Sequence, residues 1–298
     1  MMFAKMLSRE DFDEDSAIRV ACAIELAHSS LLIHDDIIDR DNTRRGNPSM
    51  HYQYETYAQD NDLPRQKQFG ISMAICVGDT GFFMANELLS ELNTGYSNKL
   101  RLIKCFNNEL CSVGLAEMQD VFFEYLNEEV SVDDILSMYN FKTARYTFSL
   151  PMMMGAIIAG CDEKIIQKLC VIGENMGQIF QIKDDELGIF GDEKTLGKSV
   201  GIDIMDNKKT LYQNLLMTSC NKKESTTLKK IFGNRNITDK EINAVRKMIV
   251  DNGICTKISQ KVKSLEENCK KLISEIDINE DSKKILLSLL KYNLERKK

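Results

Sequence analysis

The stretch His34-Asp35-Asp36-Ile37-Ile38-Asp39 closes a long apolar run with three carboxylates. If the preceding segment is a helix that continues through it, Asp35 and Asp39 stand four residues apart on one face, with Asp36 about 100° round. Carboxylates this close repel one another at neutral pH, and a fold retains them readily only where a cation neutralises them. All-oxygen ligation favours a hard cation, magnesium before calcium, and no Asp-x-Asp-x-Asp-Gly loop marks a calcium hand. The plain alternative is a solvated acidic helix end paired with Arg40, Arg44 and Arg45.

A second set of residues separates the two readings. Gln181, Asp184, Asp185 and Gly188 fall at i, i+3, i+4 and i+7, which is one helical face. Their neighbours Ile179, Phe180 and Ile182 are apolar, so the polar face looks into an interior or a cavity. A buried aspartate pair is costly unless it is ion-paired or metal-bound. Two such pairs, facing each other across a helical bundle, would hold several magnesium ions. Magnesium keeps some of its waters and takes a few carboxylates plus substrate phosphates, so the expected ligand is a diphosphate. Arg44, Arg45, Lys142, Lys198, Lys208 and Lys209 are the candidate cations. In a site that excludes water these charges stabilise a departing diphosphate. No Gly-x-Ser-x-Gly, Walker loop or histidine triad competes. The chemistry expected is ionisation: diphosphate leaves an allylic carbon, and aromatic faces, carbonyls and hydroxyls stabilise the carbocation in a dry cavity.

The elements that must position these residues are helical. Three prolines, sixteen glycines and no period-two alternation in 298 residues argue for an all-α chain. Ser16 to Ile38 is a long helix leading into the first cluster, and Glu163 to Phe190 is a second carrying the other. Met1 to Leu7 reads as the tail of a helix, Arg40 to Asn47 as a charged loop, and His51 to Lys67 has no clear assignment. Further helices are expected at Phe69 to Leu92, interrupted at Gly78-Asp79, and at Leu100 to Tyr125. Ser131-Val132-Asp133-Asp134 reads as a cap opening a helix that carries Lys142 and Thr143. Leu150 to Ala159 reads as a central apolar helix, and a glycine-punctuated loop spans Gly191 to Gly201. Thr238-Asp239-Lys240-Glu241 is a capping box, and Gly253 marks a helix end. With no repeat and no linker, residues 1–298 read as a single large antiparallel bundle around a central cavity.

Composition narrows the class further. The net charge of −6 disfavours a general nucleic-acid partner. Nine cysteines without a Cys-x-x-Cys pair read as reduced thiols of a cytoplasmic protein, and zinc is not expected. No apolar run approaches the roughly 18 residues of a membrane span, so no transmembrane segment is expected.

At this point the sequence resembles the trans-isoprenyl diphosphate synthases. Glu25-Leu26-Ala27-His28, Leu32 to Asp39 and Arg44-Arg45-Gly46 are similar to that family's first aspartate-rich region. Lys142-Thr143-Ala144 resembles its lysine-threonine motif, and Phe180 to Asp185 its second aspartate-rich region. Gly197 to Asp203 and Lys208-Lys209-Thr210 resemble the loop and lysine pair that follow. The resemblance implies an isoprenoid-synthase-type bundle, generally homodimeric, that condenses isopentenyl diphosphate with an allylic diphosphate. It implies magnesium on Asp35, Asp39 and Asp184, with Asp185 beside them in the substrate site. It assigns the allylic diphosphate and cation to Arg44, Lys142, Thr143, Gln181, Lys198 and Lys208, and isopentenyl diphosphate to His28 and Arg45.

Two departures from the family pattern stand out. Gly188 occupies the position of a third aspartate, and the Gly-Gly-Lys-Arg-type motif would stand just before Met1. The sequence is accordingly expected to be truncated or mis-started there, lacking the family's N-terminal helices. A non-catalytic subunit modulating a partner and a terpene synthase using only an allylic diphosphate are the alternatives. Product length is expected to depend on the residues one turn before Asp35, Ser30 and Leu31, unless Phe82, Phe83 or Met84 closes the cavity. With neither Ser30 nor Leu31 aromatic, the expected product is geranylgeranyl diphosphate, and Ser30→Phe is expected to shorten it.

Overall fold

The two helices that carry the aspartate clusters each begin where a short polar side chain accepts from a free amide of the first turn. In the computed structural model, which describes residues 1–7, 13–126, 128–191 and 201–296, Asp13 opens α2 (Glu14–Asp39) by accepting from the Ser16 amide at 3.0 Å. Asp162 opens α8 (Glu163–Phe190) by accepting from the Ile165 amide at 2.9 Å. The chain is all-α, as expected, apart from one short hairpin. It divides into two compact units, Met1–Phe106 with Ile157–Gly160, and Asn107–Ala156 with Cys161–Lys298.

The first unit contains α1 (Met2–Leu7), α2, α3 (Met50–Asp60), α4 (Gln66–Ser90) and the start of α5 (Tyr96–Tyr125). The charged loop is a hairpin: β1 (Thr43–Arg44) pairs antiparallel with β2 (Asn47–Pro48). Its two-residue turn has positive φ at both Arg45 (52°) and Gly46 (77°), the backbone hand that matches strand twist. The unassigned stretch after it is largely α3. The expected break at Gly78 is absent, and α4 runs straight through. That glycine serves close packing, since a Cβ there would stand 2.3 Å from His34 Nε2. A Cβ on Gly81 would stand 2.1 Å from Ser30 Oγ. A seam of small residues thus brings α2 and α4 together.

α2 and α4 are also long and apolar enough, by length and composition alone, to cross a membrane. The expectation that no stretch reaches that length is amended accordingly, because a window whose apolar residues are interrupted by a few polar ones still has a high mean hydropathy. Core helices of soluble proteins pass the same test.

The second unit is organised on α8. It comprises the rest of α5, α6 (Val132–Tyr139), a π-helical segment (Asn140–Ser149), most of α7 (Leu150–Ile158), and α8. It continues with α9 (Ile202–Met205), α10 (Leu211–Ser219), α11 (Lys222–Ile231), α12 (Asp239–Asp251), α13 (Ile254–Glu275) and α14 (Glu280–Glu295). The capping box at Thr238 forms with both of its bonds. Gly253, in the left-handed region at φ 67°, joins α12 to α13.

The helix expected to carry Lys142 and Thr143 is α only to Tyr139, then winds as a π-helix for ten residues. This segment crosses α8 at two glycines one turn apart. A Cβ on Gly173 would lie 2.6 Å from Ser149 Cα, and one on Gly177 2.2 Å from Ala144 Cα. Both contacts are with backbone, which cannot swing aside. Arg145 pins the middle of the segment, with Nε donating to Glu109 at 2.7 Å and Nη1 to Glu174 at 2.5 Å. Gly177→Val is therefore expected to force the segment off α8 and cost about 1–3 kcal/mol. Thermal unfolding followed by circular dichroism tests this, and a wild-type midpoint would contradict it.

Candidate active site

In the first unit, helix α2 carries Asp35 and Asp39 on one face, as the periodicity predicts. Arg44, leaving the hairpin, reaches back to the helix end. Its Nε donates to Asp36 at 2.7 Å and its Nη2 to Asp35 at 2.9 Å. Asp36 is nearly fully buried, and burial raises its pKa despite the arginine. The guanidinium thus offsets one buried carboxylate while Asp35 and Asp39 stay half-buried at the surface of the helix. His28 lies two turns earlier. Burial lowers its pKa, Glu25 opposes this, and Arg45 and Arg44 act in the same direction as burial. Burial therefore favours the neutral imidazole, in the field of both arginines.

Ser30 has a different neighbour from the expected pocket floor. It is 2% exposed and packs against Gly81 in the α2–α4 seam. Phe83 is 75% exposed, so its ring lies on the surface instead of closing a cavity. Phe82 turns inward and meets His34 edge-on at 5.7 Å. Leu31 is half-buried and, with Phe82, remains a candidate for length control. Ser30→Phe is thus expected to disrupt the α2–α4 seam and lower the melting midpoint, while Ser30→Ala leaves it near the wild-type value. Differential scanning calorimetry decides, and equal midpoints for the two variants would restore Ser30 to the pocket floor.

In the second unit, a hydrogen-bonded chain runs across the glycine seam. Thr143 Oγ1 donates to Gln181 Oε1 at 2.8 Å, and Gln181 Nε2 donates to Asp185 Oδ1 at 3.0 Å. Tyr139 donates its hydroxyl proton to Asp185 Oδ2. Asp185 is fully enclosed, and burial first, then nearby Asp203, hold its pKa well above the ordinary carboxylate range. Asp184 is more exposed, and Nη2 of Arg296 lies 3.5 Å from its Oδ1. The same guanidinium covers the Phe180 ring at 3.8 Å. Lys142 bonds Asp120 at 2.5 Å and Glu117 at 2.8 Å, so α5 fixes where its ammonium stands.

A carboxylate of another segment, Asp203, lies beside Gly188. A Cβ on Gly188 would come within 2.7 Å of Asp203 Oδ2, so the space beside Gly188 already holds a carboxylate. Asp203, Lys208 and Thr210 line one small cavity with Ile189, Ile204 and Gln213. Lys198 lies outside the described residues.

Sequence reasoning passed over Glu117, Asp120, Tyr139 and Arg296. Glu117 and Asp120 sit three apart on a helix and could have been read as partners for a lysine. A tyrosine in an apolar helix and an arginine near the end of an amphipathic one carry no such signal.

Among the described residues no group of three His, Cys, Asp or Glu side chains forms a ready-made metal cage. Magnesium fits such a donor set, because it binds through one or two carboxylates and completes its shell with water and substrate phosphate. The half-exposed carboxylates that would hold it are Asp35 and Asp39 in one unit and Asp184 in the other.

The chain matches the polyprenyl synthetase family over residues 1–249. It is 32% identical over 237 residues to a short chain isoprenyl diphosphate synthase of Methanocaldococcus jannaschii, covering 80% of this chain and 66% of that protein. That is just under two thirds of the relative's own length. It is 30% identical over 289 residues to a geranylfarnesyl diphosphate synthase of Aeropyrum pernix, covering 96% of this chain and 84% of that one. The crystal structure of a Corynebacterium glutamicum geranylgeranyl pyrophosphate synthase, complexed with isoprenyl diphosphate and magnesium, superposes with a TM-score of 0.91. That match is at 28% identity over 99% of this chain and 84% of that one.

Proposed function

The chain belongs to the polyprenyl synthetase family, and we propose that it is a head-to-tail prenyltransferase, condensing isopentenyl diphosphate with an allylic diphosphate. The observation that carries this reading is that each unit pairs carboxylates on a long apolar helix with a cation held in place by further carboxylates. In one unit these are Asp35, Asp39 and Arg44, and in the other Asp184, Asp185 and Lys142. Magnesium bound at these carboxylates would neutralise the diphosphate and favour its departure from the allylic carbon. Arg44 and Lys142 add fixed positive charge where negative charge develops on the leaving group. Thr143 donates to the Gln181 amide oxygen and so orients the amide nitrogen that donates to Asp185. His28, flanked by Arg45, offers a hydrogen bond to the second diphosphate. Once the diphosphate has left, the isopentenyl double bond attacks the allylic cation, and the tertiary cation so formed gives up a proton to the released diphosphate, restoring a double bond. The product we assign is geranylgeranyl diphosphate, in keeping with a half-buried and non-aromatic Leu31 one turn before Asp35. The nine free thiols fit a reducing, cytoplasmic location.

The test is incubation of the protein with magnesium, radiolabelled isopentenyl diphosphate and each allylic primer in turn. Labelled prenyl diphosphate is expected, and no incorporation with any primer overturns the reading. Asp35→Ala and Asp184→Ala are each expected to lower the rate by about 100-fold or more while the circular dichroism spectrum is unchanged.

We further infer a homodimer. Leu115, Met118, Phe122 and Tyr125 form one exposed stripe along α5, with spacings of three and four residues. A contiguous apolar face of this kind suits a self-complementary two-fold contact with a second copy. The double substitution Leu115→Glu with Phe122→Glu is expected to yield monomers in light scattering, and an unchanged dimer mass would refute the assignment.

A further inference from the structure

Tyr139 is the last residue of α6, fully buried, at the point where the chain changes from α to π winding. Its hydroxyl makes two bonds to two other elements. It donates to Asp185 Oδ2 on α8, and it accepts from the Leu211 amide, the first of α10, at 2.9 Å. Each of the three elements brings a candidate site residue. The π segment begun at Tyr139 holds Lys142 and Thr143, α8 holds Asp184 and Asp185, and Leu211 follows Lys208-Lys209-Thr210 directly. A side chain added only for packing would be phenylalanine here, because the hydroxyl must be matched on both sides to be buried.

We propose that Tyr139 is a positioning residue for the diphosphate-binding carboxylates and lysine of the second unit, acting through its hydroxyl on Asp185 and on the start of α10. The inference rests on the reading of that unit as a magnesium–diphosphate site. Asp185 has two neutral donors, Tyr139 and Gln181, one on each oxygen. With Tyr139 present, both oxygens are directed into the protein and the helix turn bearing Asp184 is held in register. With the hydroxyl removed, Oδ2 of Asp185 loses its donor and the Leu211 amide loses its acceptor. The carboxylate is then free to rotate about its side-chain torsions, and the backbone carrying Lys208 loses its tie to α6. Tyr139 itself stays one layer behind the ligand and touches none of it.

The experiment is calorimetric titration of inorganic diphosphate in the presence of magnesium into the wild-type protein, Tyr139→Phe and Ile135→Val. Ile135 is fully buried one turn earlier on the same helix, and its variant reports the effect of mere loss of packing. Tyr139→Phe is expected to weaken binding by about 10- to 100-fold, as loss of an outer-layer partner does at metal sites. Ile135→Val is expected to bind as the wild type does. Should Tyr139→Phe fail to fold, Leu211→Pro removes the other partner of the hydroxyl at a helix position where proline is tolerated, after an extended Thr210 (ψ 163°). It too is expected to weaken diphosphate binding. Wild-type affinity in folded Tyr139→Phe, or in Leu211→Pro where that variant stands in, overturns the proposal. Equal weakening in Ile135→Val overturns it as well. No magnesium-dependent diphosphate binding by the wild type would defeat the reading of the site itself, and this inference with it.

Discussion

Two glycines one turn apart on α8 set the distance on which the second unit's chemistry depends. Gly173 and Gly177 let the π segment approach until backbone meets backbone at Ser149 and Ala144. That approach is what allows Thr143 to reach Gln181 at 2.8 Å, and what places Tyr139 on Asp185. A side chain at either glycine would separate the elements by more than a hydrogen bond can span. The π winding belongs to the same constraint. It changes the rotation per residue along Asn140–Ser149, and such segments gather at functional positions because they re-aim side chains without breaking the helix.

The second physical theme is the burial of charge. Moving a carboxylate out of water costs several kcal/mol, and a hydrogen bond to a charged group returns about 1.5–3 kcal/mol. Asp185 receives two such bonds, yet its pKa stays raised, because it is fully enclosed and Asp203 lies close by. Asp36 is handled differently, with the Arg44 guanidinium bridging it to Asp35. Lys142 is held in the same manner by Glu117 and Asp120. In each case the partner that makes burial tolerable also fixes the geometry of a group expected to meet a diphosphate. Stability and site geometry therefore rest on the same contacts in both units.

Much of the site was legible in the chain. The i, i+3, i+4 spacing of Gln181, Asp184 and Asp185 predicted a polar set on α8, and Gln181 there bonds both Asp185 and Thr143 of the π segment. Asp35 and Asp39 fall on α2 as their spacing requires. Gly78 read as a break, because a glycine in a helix looks the same whether it ends an element or admits a neighbour. Ser30, expected to floor the pocket, packs against Gly81. Phe82, Phe83 and Met84 read alike as residues that could close the cavity, whereas one step along a helix rotates a side chain by about 100°, enough to put Phe82 on His34 and Phe83 in solvent.

By itself the sequence determined the fold class, most of the long helices and the kinds of group expected at each site, since periodicity, caps and residue chemistry are local properties of the chain. What lay beyond it was decided by tertiary contact. That Asp203 fills the space beside Gly188, that Tyr139 joins Asp185 to the Leu211 amide, and that Arg44 turns onto Asp36 are pairings between residues far apart in the chain. Local pattern holds no record of such distances, because they are set by how closely packed helices approach, and here by the few positions that lack a side chain.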